Sequence, residues 1–284
     1  MLKIRRTGTT PVMDIIKTEN ADGSELLYMQ IPAIRATGIV EHAFSTRIGG
    51  TSQGIFSSMN LRFGHGDEDA RVRENIHRMA SVLGTDEAHM VLTKQTHTTN
   101  VRVVTAADAG YGVVRERPYD DVDGLITDVP GLALGIFAAD CVPLLFVDPV
   151  HHVIGASHSG WRGTAMGIAA KAVAAMCREF GCDPAGIRAA IGPCIGLCCF
   201  EVGPEVPEAM RNALGADAEP FFEPRGEKYH VDLKGLNRLW LERAGLSEID
   251  VCPDCTKCQP ERFWSHRAVG NQRGSQAAII MRKE

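Results

Sequence analysis

The chain has 284 residues, of which 44% are hydrophobic and 23% are charged, and its formal net charge is −5 at pH 7. This composition is that of an ordinary globular protein with enough residues to bury a large core. The acidic balance excludes the basic surface that nucleic-acid binding needs, and no basic run approaches the polybasic tracts that bind anionic membranes.

Targeting and redox signals are weak. Arg5 and Arg6 suggest a twin-arginine signal, but no apolar segment follows them. The longest apolar stretch, 131–147, contains Asp140 and Pro143 and is too short to span a membrane. The nine cysteines are an odd number in a chain too long to need disulfide bonds, so we expect reduced thiols. Together these features predict a cytoplasmic protein with no membrane partner.

In chain order, residues 1–30 have weak periodicity, and we interpret them as a lead-in arm to a domain that spans 31–284. Apolar periodicity and an acidic first turn then predict a helix over 67–83. The later pattern predicts strands at 90–93, 101–104, 123–127, 132–137, 144–147, 153–157, 187–191 and 277–281, and helices at 163–180, 204–214 and 233–244. The region 217–227 is the loosest. Because strands and helices alternate too irregularly for a doubly wound sheet, we predict a mixed α/β (α+β) fold: one compact domain with mixed sheets flanked by helices.

Three residues far apart in the chain stand in unusual local sequences. His97 ends Lys-Gln-Thr-His, Cys141 follows Ala-Ala-Asp, and His158 begins His-Ser-Gly-Trp-Arg-Gly. Each alone is compatible with a structural role, since a buried cysteine can be a small apolar residue and the chain has ten histidines. Together, two imidazoles and one thiolate match the three protein ligands of a catalytic zinc site, whose fourth position is left to water or substrate.

Two glycine-rich segments carry an arginine suited to an anion. Arg162 lies where the strand that contains His158 gives way to a helix, between two glycines that allow close backbone approach. Arg47 precedes Gly49 and Gly50, although this segment matches neither the phosphate-loop nor the dinucleotide pattern. A forked guanidinium fits the oxygens of phosphate or carboxylate, so both arginines are candidate phosphate ligands.

A further group of cysteines leaves two interpretations open. Cys252, Cys255 and Cys258 are spaced like the start of an iron–sulfur ligand run, but Arg262 stands where the fourth cysteine would fall. A second metal site therefore requires one more thiol from elsewhere in the chain, and the candidates are Cys194, Cys198 and Cys199. The alternative is that the glycine-punctuated loop 192–199 simply lines the first site.

Read together, these segments resemble the YfiH-type laccase-domain family, also called multicopper polyphenol oxidase-like or peptidoglycan editing factor proteins. The resemblance extends from about Gly38 to the C-terminus. Two departures are Thr98, where a glycine is common, and His266, where tyrosine is frequent. The motifs that carry it are Phe44-Ser45-Thr46-Arg47-x-Gly49-Gly50, Met59-Asn60-Leu61, Lys94-Gln95-x-His97, Asp123-Gly124-Leu125, Ala139-Asp140-Cys141-x-Pro143, His158-x-Gly160-Trp161-Arg162-Gly163, Gly192-Pro193-x-Ile195 and Cys255-Thr256.

The resemblance implies a compact α/β fold and a zinc-dependent purine nucleoside phosphorylase that acts on adenosine, inosine, guanosine and methylthioadenosine and also deaminates adenosine. Its substrates would be a purine nucleoside and inorganic phosphate. It places the metal ligands, which are also catalytic residues, on His97, Cys141 and His158. Asp140, beside Cys141, is expected to orient a neighbouring group or move a proton. The expected substrate- and phosphate-binding residues are Arg47, Asn60, Gln95 and Arg162.

Three alternatives remain open at this point. Copper could replace zinc and support phenol oxidation, although one His₂Cys set cannot provide the several copper centres of a multicopper oxidase. A metal-free cysteine hydrolase or deamidase would use Cys141 as nucleophile and His158 as its base. A binding module with a structural metal would have a closed four-ligand site. The sequence leaves the oligomeric state open between a monomer and a homodimer.

Overall fold

The computed structural model describes residues 12–284, and the first eleven residues of the predicted arm lie outside this range. Fifteen strands and seven α-helices make up the described part of the chain. The strands are β1 (Asp14–Glu19), β2 (Glu25–Gln30), β3 (Val40–Ser45), β4 (Met90–Leu92), β5 (Val101–Val103), β6 (Gly124–Thr127), β7 (Ala133–Ala138), β8 (Val142–Asp148), β9 (Val153–Ser159), β10 (Arg188–Ile191), β11 (Glu201–Val202), β12 (Phe222–Arg225), β13 (Lys228–Val231), β14 (Glu248–Val251) and β15 (Gln276–Arg282). The helices are α1 (Pro32–Arg35), α2 (Asp69–Val82), α3 (Trp161–Ala165), α4 (Ile168–Phe180), α5 (Glu205–Leu214), α6 (Leu233–Arg243) and α7 (His266–Val269). Short 3₁₀ helices connect several of them.

Two six-stranded mixed sheets form the centre of the fold. The first has the strand order β1-β2-β3-β15-β7-β4, in which the β4–β7 pair alone is parallel. The second has the order β14-β10-β8-β9-β6-β5, in which the two outer pairs are parallel. A small antiparallel sheet, β11-β13-β12, lies apart from both. The prediction of mixed sheets in an α/β domain is therefore confirmed.

The two large sheets pack face to face, and helices cover their outer faces. Between the sheets, buried residues such as Leu134 and Ile280 of the first meet Leu145 and Ile154 of the second in one apolar cluster. Helix α2 covers the outer face of the first sheet, while α4 and α6 cover the second. Strands β8 and β9 are buried along their whole length because both faces of their sheet are covered. The result is a four-layer α/β/β/α sandwich.

Several local expectations need correction. Residues 1–30 were expected to be an arm, but in the described part of that range β1 and β2 form a hairpin that extends the first sheet. The helix predicted over 163–180 is two helices, because Gly167 adopts a left-handed conformation (φ 74°) between α3 and α4. The loosest region, 217–227, contains part of a 3₁₀ helix and β12. Strands β3, β11, β13 and β14 were not predicted. Within residues 12–284, no helix combines the length and the hydropathy needed to cross a membrane.

Candidate metal centre

The three predicted metal ligands come together where the chain passes between the two large sheets. His97 lies in the loop that follows β4 of the first sheet. Cys141 ends the three-residue turn 139–141, which joins β7 of the first sheet to β8 of the second. His158 is near the end of β9, opposite Pro143 of β8. The site therefore lies at the seam between the sheets.

The geometry of these three side chains suits a shared ion. Their ligand atoms all lie within 4.8 Å of one another. The Cys141 Sγ atom is 3.8 Å from His97 Nε2, and the two imidazole rings are 4.9 Å apart at an angle of 84°. His158 is buried, Cys141 is half-buried and His97 is exposed, so the cluster opens to solvent on the His97 side. An open side is what a reactive metal centre requires for substrate entry.

Asp123 holds the cluster in place, a role that the sequence analysis did not assign. Its fully buried carboxylate accepts a hydrogen bond from His158 Nδ1 at 2.8 Å. It also accepts the backbone N–H groups of Thr96, His97 and Thr98, which fixes the His97 loop. With Nδ1 donating to Asp123, the other ring nitrogen of His158 remains free to bind a metal. Asp123 lies directly before β6 and begins Asp-Gly-Leu, one of the motifs that carry the family resemblance. That motif was the one sequence feature that pointed to it.

The electrostatics favour a thiolate at Cys141. Burial raises the pKa of this thiol, but the charge of His158 and hydrogen bonds from both histidines outweigh burial and lower the pKa to about 6. For His158, burial lowers the pKa, while the Cys141 thiolate and the Asp123 carboxylate raise it to about 9. Without a metal, the two groups therefore form a thiolate–imidazolium pair at neutral pH. A thiolate is the form of cysteine that binds metals.

Gly160 leaves the space that the His97 ring occupies. A Cβ atom at this position would lie 2.6 Å from His97 Cδ2 and 3.3 Å from Cys141 Sγ. The first distance is far shorter than a normal carbon–carbon contact. The glycine in His-Ser-Gly-Trp is thus explained by the close approach of two metal-ligand candidates.

We expect Gly160→Ala to push the His97 ring out of position and to weaken zinc binding about 10- to 100-fold, the usual effect of disturbing the orientation of a metal ligand. Competition with a chromophoric chelator measures the affinity. Gly186→Ala is the control, because a Cβ at Gly186 meets no atom within 4 Å. Equal zinc affinity in the Gly160→Ala variant and the wild type would show that His97 is not a ligand.

Asp140 acts on the turn that presents Cys141. It adopts a left-handed backbone conformation (φ 86°) in the turn between the sheets. Its carboxylate accepts hydrogen bonds from Thr256 Oγ1 at 2.6 Å, Ser265 Oγ at 3.1 Å and the backbone N–H of Arg267 at 2.6 Å. These bonds direct the carboxylate toward 256–267, so the structure supports a positioning role for Asp140.

Arg47 and Asn60, two predicted substrate contacts, are engaged with the protein itself. The Arg47 guanidinium donates to the carbonyls of Ser57 and Pro260 and lies 3.9 Å from the centre of the Trp264 ring. Asn60 is fully buried, and its amide bonds the Asp67 carboxylate, both backbone groups of Arg62 and the backbone N–H of Ser275. The hydrogen-bonding groups of the Asn60 amide are thus all engaged by the protein, whereas Arg47 keeps two N–H groups beyond these three bonds. Phosphate binding by Arg47 therefore stays a prediction.

The other two predicted contacts differ from each other. The Gln95 side-chain amide pairs with both backbone groups of Phe137, at 2.7 Å each, and so ties the His97 segment to β7. Arg162 is exposed, and its guanidinium lies 4.3 Å from the centre of the Trp161 ring. These bonds position the segment, and Gln95 also lines the cavity described next, so substrate contact by Gln95 and phosphate binding by Arg162 both stay predictions.

A basic cavity that the sequence analysis did not identify opens beside the His97 segment. It has a volume of about 250 Å³, and its lining includes Arg62, Arg117, Thr96 and Phe137. Burial lowers the pKa of Arg62, as does the charge of Arg117, while the Cys141 thiolate raises it. Arg62 thus lies within electrostatic reach of both Arg117 and Cys141. No motif separates these two arginines from the other basic residues of the chain.

Comparisons with known proteins agree on one family. A family model described as multi-copper polyphenol oxidoreductase laccase matches residues 41–283. YlmD of Geobacillus stearothermophilus, named a purine nucleoside phosphorylase, is 38% identical over 244 residues, which cover 84% of this chain and 89% of that protein. A protein of an unknown prokaryotic organism, named adenosine deaminase RL5, is 35% identical over 246 residues, or 85% of this chain and 94% of that protein. The crystal structure of YlmD from G. stearothermophilus has a TM-score of 0.86 and 34% identity, covering 95% of this chain and all of that one.

Proposed function

Since the chain belongs to the YfiH-type laccase-domain family, we propose that it is a zinc-dependent purine nucleoside phosphorylase that also deaminates adenosine. The observation that carries this proposal is the meeting of two imidazoles and a thiolate beside a cavity lined by two arginines. The names of the relatives, a purine nucleoside phosphorylase and an adenosine deaminase, support both activities.

The donor set fits one zinc ion better than several copper ions. Within residues 12–284, three groups bring together three or more potential metal ligands, and only His97, Cys141 and His158 include two imidazoles. A multicopper oxidase needs several copper centres, so the described residues do not support that reaction. Two imidazoles and one thiolate with an open side are typical of catalytic zinc. Bound there, zinc would supply Lewis-acid polarisation of a substrate atom.

The protein's own groups account for the rest of the phosphorylase chemistry. In phosphorolysis, a phosphate oxygen forms a bond to ribose C1′, the bond from C1′ to the purine nitrogen breaks, and the purine takes up a proton that dihydrogen phosphate or water supplies. Arg62 and Arg117 would bind phosphate through charge-assisted hydrogen bonds in the cavity beside His97. The Phe137 side chain in the same wall offers an apolar surface to the purine. Asp123 keeps His158 in one tautomer throughout.

We expect Arg62→Gln to raise the KM for phosphate about 10- to 100-fold, because a charge-assisted hydrogen bond contributes roughly 1.5–3 kcal/mol. Zinc content should stay at the wild-type level, since Arg62 is not a ligand candidate. Initial rates at varied phosphate concentration measure the effect.

Arg47→Gln and Arg162→Gln are the comparison variants for that experiment. Arg47 is held by carbonyls and Trp264, so its replacement should reduce thermal stability, and a raised KM for phosphate would show that it also binds phosphate. Arg162→Gln tests whether the second predicted phosphate ligand contributes. A raised KM in Arg47→Gln with none in Arg62→Gln would place the phosphate site elsewhere.

The function itself is tested by incubating zinc-loaded protein with adenosine or inosine, with and without phosphate, and separating the products by chromatography. Free purine and ribose 1-phosphate that form only with phosphate would establish the phosphorylase. Inosine formed from adenosine without phosphate would establish the deaminase. No turnover of either nucleoside by the zinc-loaded protein would contradict the proposal.

The thiolate–imidazolium pair also favours a second candidate, a metal-free cysteine hydrolase with Cys141 as nucleophile and His158 as its base. The two candidates differ in how they respond to a chelator. Removal of the metal abolishes phosphorylase activity but leaves a thiol hydrolase active.

Alkylation of Cys141 gives a direct measure of its ionisation. In chelator-treated protein, we expect iodoacetamide to modify Cys141 at a rate that is half-maximal near pH 6 and falls at lower pH, because its lowered pKa makes it a thiolate above that value. Cys252, whose pKa is raised by burial to about 11, should stay largely unmodified at neutral pH. Peptide mass spectrometry separates the two. Zinc should protect Cys141, and equal modification with and without zinc would show that this thiol is not a ligand.

A further inference from the structure

Four cysteines from two loops meet outside the site described above. Cys198 and Cys199 lie between β10 and β11, and Cys255 and Cys258 lie between β14 and α7. Their four Sγ atoms are all within 4.8 Å of one another. The Cys258 Sγ is 3.6 Å from that of Cys198 and 3.4 Å from that of Cys199.

These sulfur–sulfur distances fit four ligands around one metal ion and are too long for a disulfide bond. A disulfide needs sulfurs about 2.05 Å apart. In a tetrahedral zinc site, Zn–S bonds of about 2.3 Å put neighbouring sulfurs about 3.8 Å apart. A disulfide would also use only two of the four thiols. Four cysteine sulfurs are the donor set that structural zinc prefers, and the second pair has the C-x-x-C spacing common in such sites.

The backbone around the four cysteines donates a hydrogen bond to sulfur and leaves space for the sulfur atoms. The Gly196 N–H donates to Cys255 Sγ at 3.2 Å, an interaction that offsets thiolate charge. A Cβ at Gly196 would lie 3.2 Å from both Cys198 Sγ and Cys255 Cβ, so a glycine lets the two loops approach. The backbone of Cys194 pairs with that of Cys255, and Thr256 N–H donates to the Cys194 carbonyl, which joins the loops beside the cluster.

Two other cysteines considered for this site do not take part. Cys252 is buried, and it is the Cys252 carbonyl that accepts a hydrogen bond from Lys234. The Cys194 thiol donates to the carbonyl of Ile195. Thus only Cys255 and Cys258 of the C-x-x-C-x-x-C run belong to the group. The other two thiols, Cys198 and Cys199, come from the glycine-punctuated loop.

We propose that Cys198, Cys199, Cys255 and Cys258 bind one zinc ion in a closed tetrathiolate site, separate from His97, Cys141 and His158. Each thiol that binds releases its proton to solvent, so binding strengthens as pH rises. The ion would fix the loop that carries Thr256. Thr256 in turn donates to Asp140, the neighbour of Cys141, so the structural site supports the turn that presents a ligand of the first site. This inference does not rest on the proposed activity.

The test is the zinc content of the full chain after zinc loading under reducing conditions and gel filtration. We expect two zinc ions per wild-type chain and one in Cys258→Ser and in Cys198→Ser. Cys177→Ser is the matched control, since Cys177 lies on α4 outside every group of metal-ligand candidates, and it should keep two. Cys141→Ala should keep the tetrathiolate ion and lose the other.

Cobalt binding to the wild-type protein gives a second measurement, which does not depend on whether a variant folds. Metal-stripped wild-type protein titrated with Co²⁺ should develop sulfur-to-cobalt charge-transfer absorption several times stronger than the single Cys141 thiolate can give, because four more thiolates would bind cobalt. Native alkylation with zinc present should spare the four cysteines. One zinc per wild-type chain that Cys258→Ser retains would overturn the proposal. A disulfide among the four cysteines that persists in reducing buffer, or their unchanged alkylation when zinc is added, would overturn it as well.

Discussion

Replacing Cys141 or His158 by alanine is expected to remove one zinc ion per chain and to lower kcat/KM for phosphorolysis by more than about 10³-fold. Each variant deletes one of three ligands whose donor atoms lie within 4.8 Å of one another. In Cys141→Ala the negative thiolate is lost, which leaves two imidazoles to hold a divalent ion. In His158→Ala the buried Asp123 carboxylate also loses its partner. Metal analysis and steady-state kinetics on the same preparation measure both effects.

Cys177→Ser, a thiol variant outside the site, should keep full activity and separates ligand loss from general thiol damage. Circular dichroism checks that the alanine variants remain folded. Activity retained in either variant after its zinc is gone would contradict a zinc-dependent reaction and favour the hydrolase with a thiol nucleophile or another site altogether.

Asp123→Ala should have the largest effect on stability. Its fully buried carboxylate accepts hydrogen bonds from His158 Nδ1 and from three successive backbone N–H groups. Removing one partner of a buried ion pair costs about 3–5 kcal/mol, which corresponds to a fall of roughly 10 °C in Tm for a chain of this size. Zinc affinity should fall about 10- to 100-fold, because His158 loses the group that orients it. Thermal unfolding and chelator competition measure the two effects.

Asp123→Asn should behave similarly, because each carboxylate oxygen accepts from at least two donors and an NH₂ group at either position would face donors only. The control is Asp120→Asn, an exposed carboxylate paired with Lys94, for which we expect almost no change in Tm because solvent screens such a pair. A Tm in Asp123→Ala equal to that of the control would contradict the central role assigned to this residue.

The fold was predictable in class but not in arrangement. Buried strands such as β8 and β9 are visible in the sequence as apolar runs, and α4 shows helical periodicity with a glycine at its end. The pairing of β15 with both β3 and β7 joins segments at opposite ends of the chain, which no local pattern encodes. Strand β14 was missed because its four residues alternate polar and apolar over too short a length to stand out.

The candidate site, like the fold, could be predicted from the sequence only in part. The metal-ligand candidates were recognisable only as a set, because each residue alone is compatible with a structural role while two imidazoles and one thiolate together match a metal site. The intramolecular partners of Arg47 and Asn60 were not predictable, because sequence does not reveal whether a polar side chain hydrogen-bonds a ligand or the backbone. Arg62 and Arg117 were missed for the converse reason: no local pattern marks them, and what brings them together is one cavity, which the fold creates.

The location of the ligands at the seam between two sheets governs when in folding the protein can acquire its metal. His97 follows a strand of one sheet, His158 lies in a strand of the other, and Cys141 sits on the crossing between them. All three candidate ligands can therefore meet only once both sheets have docked, so we expect a bound ion to arrive too late to nucleate folding. Interactions made after the folding transition state slow unfolding and leave the folding rate nearly unchanged. In a cell, metal supply would then set how long a folded molecule survives, and would have little effect on how many molecules reach the folded state.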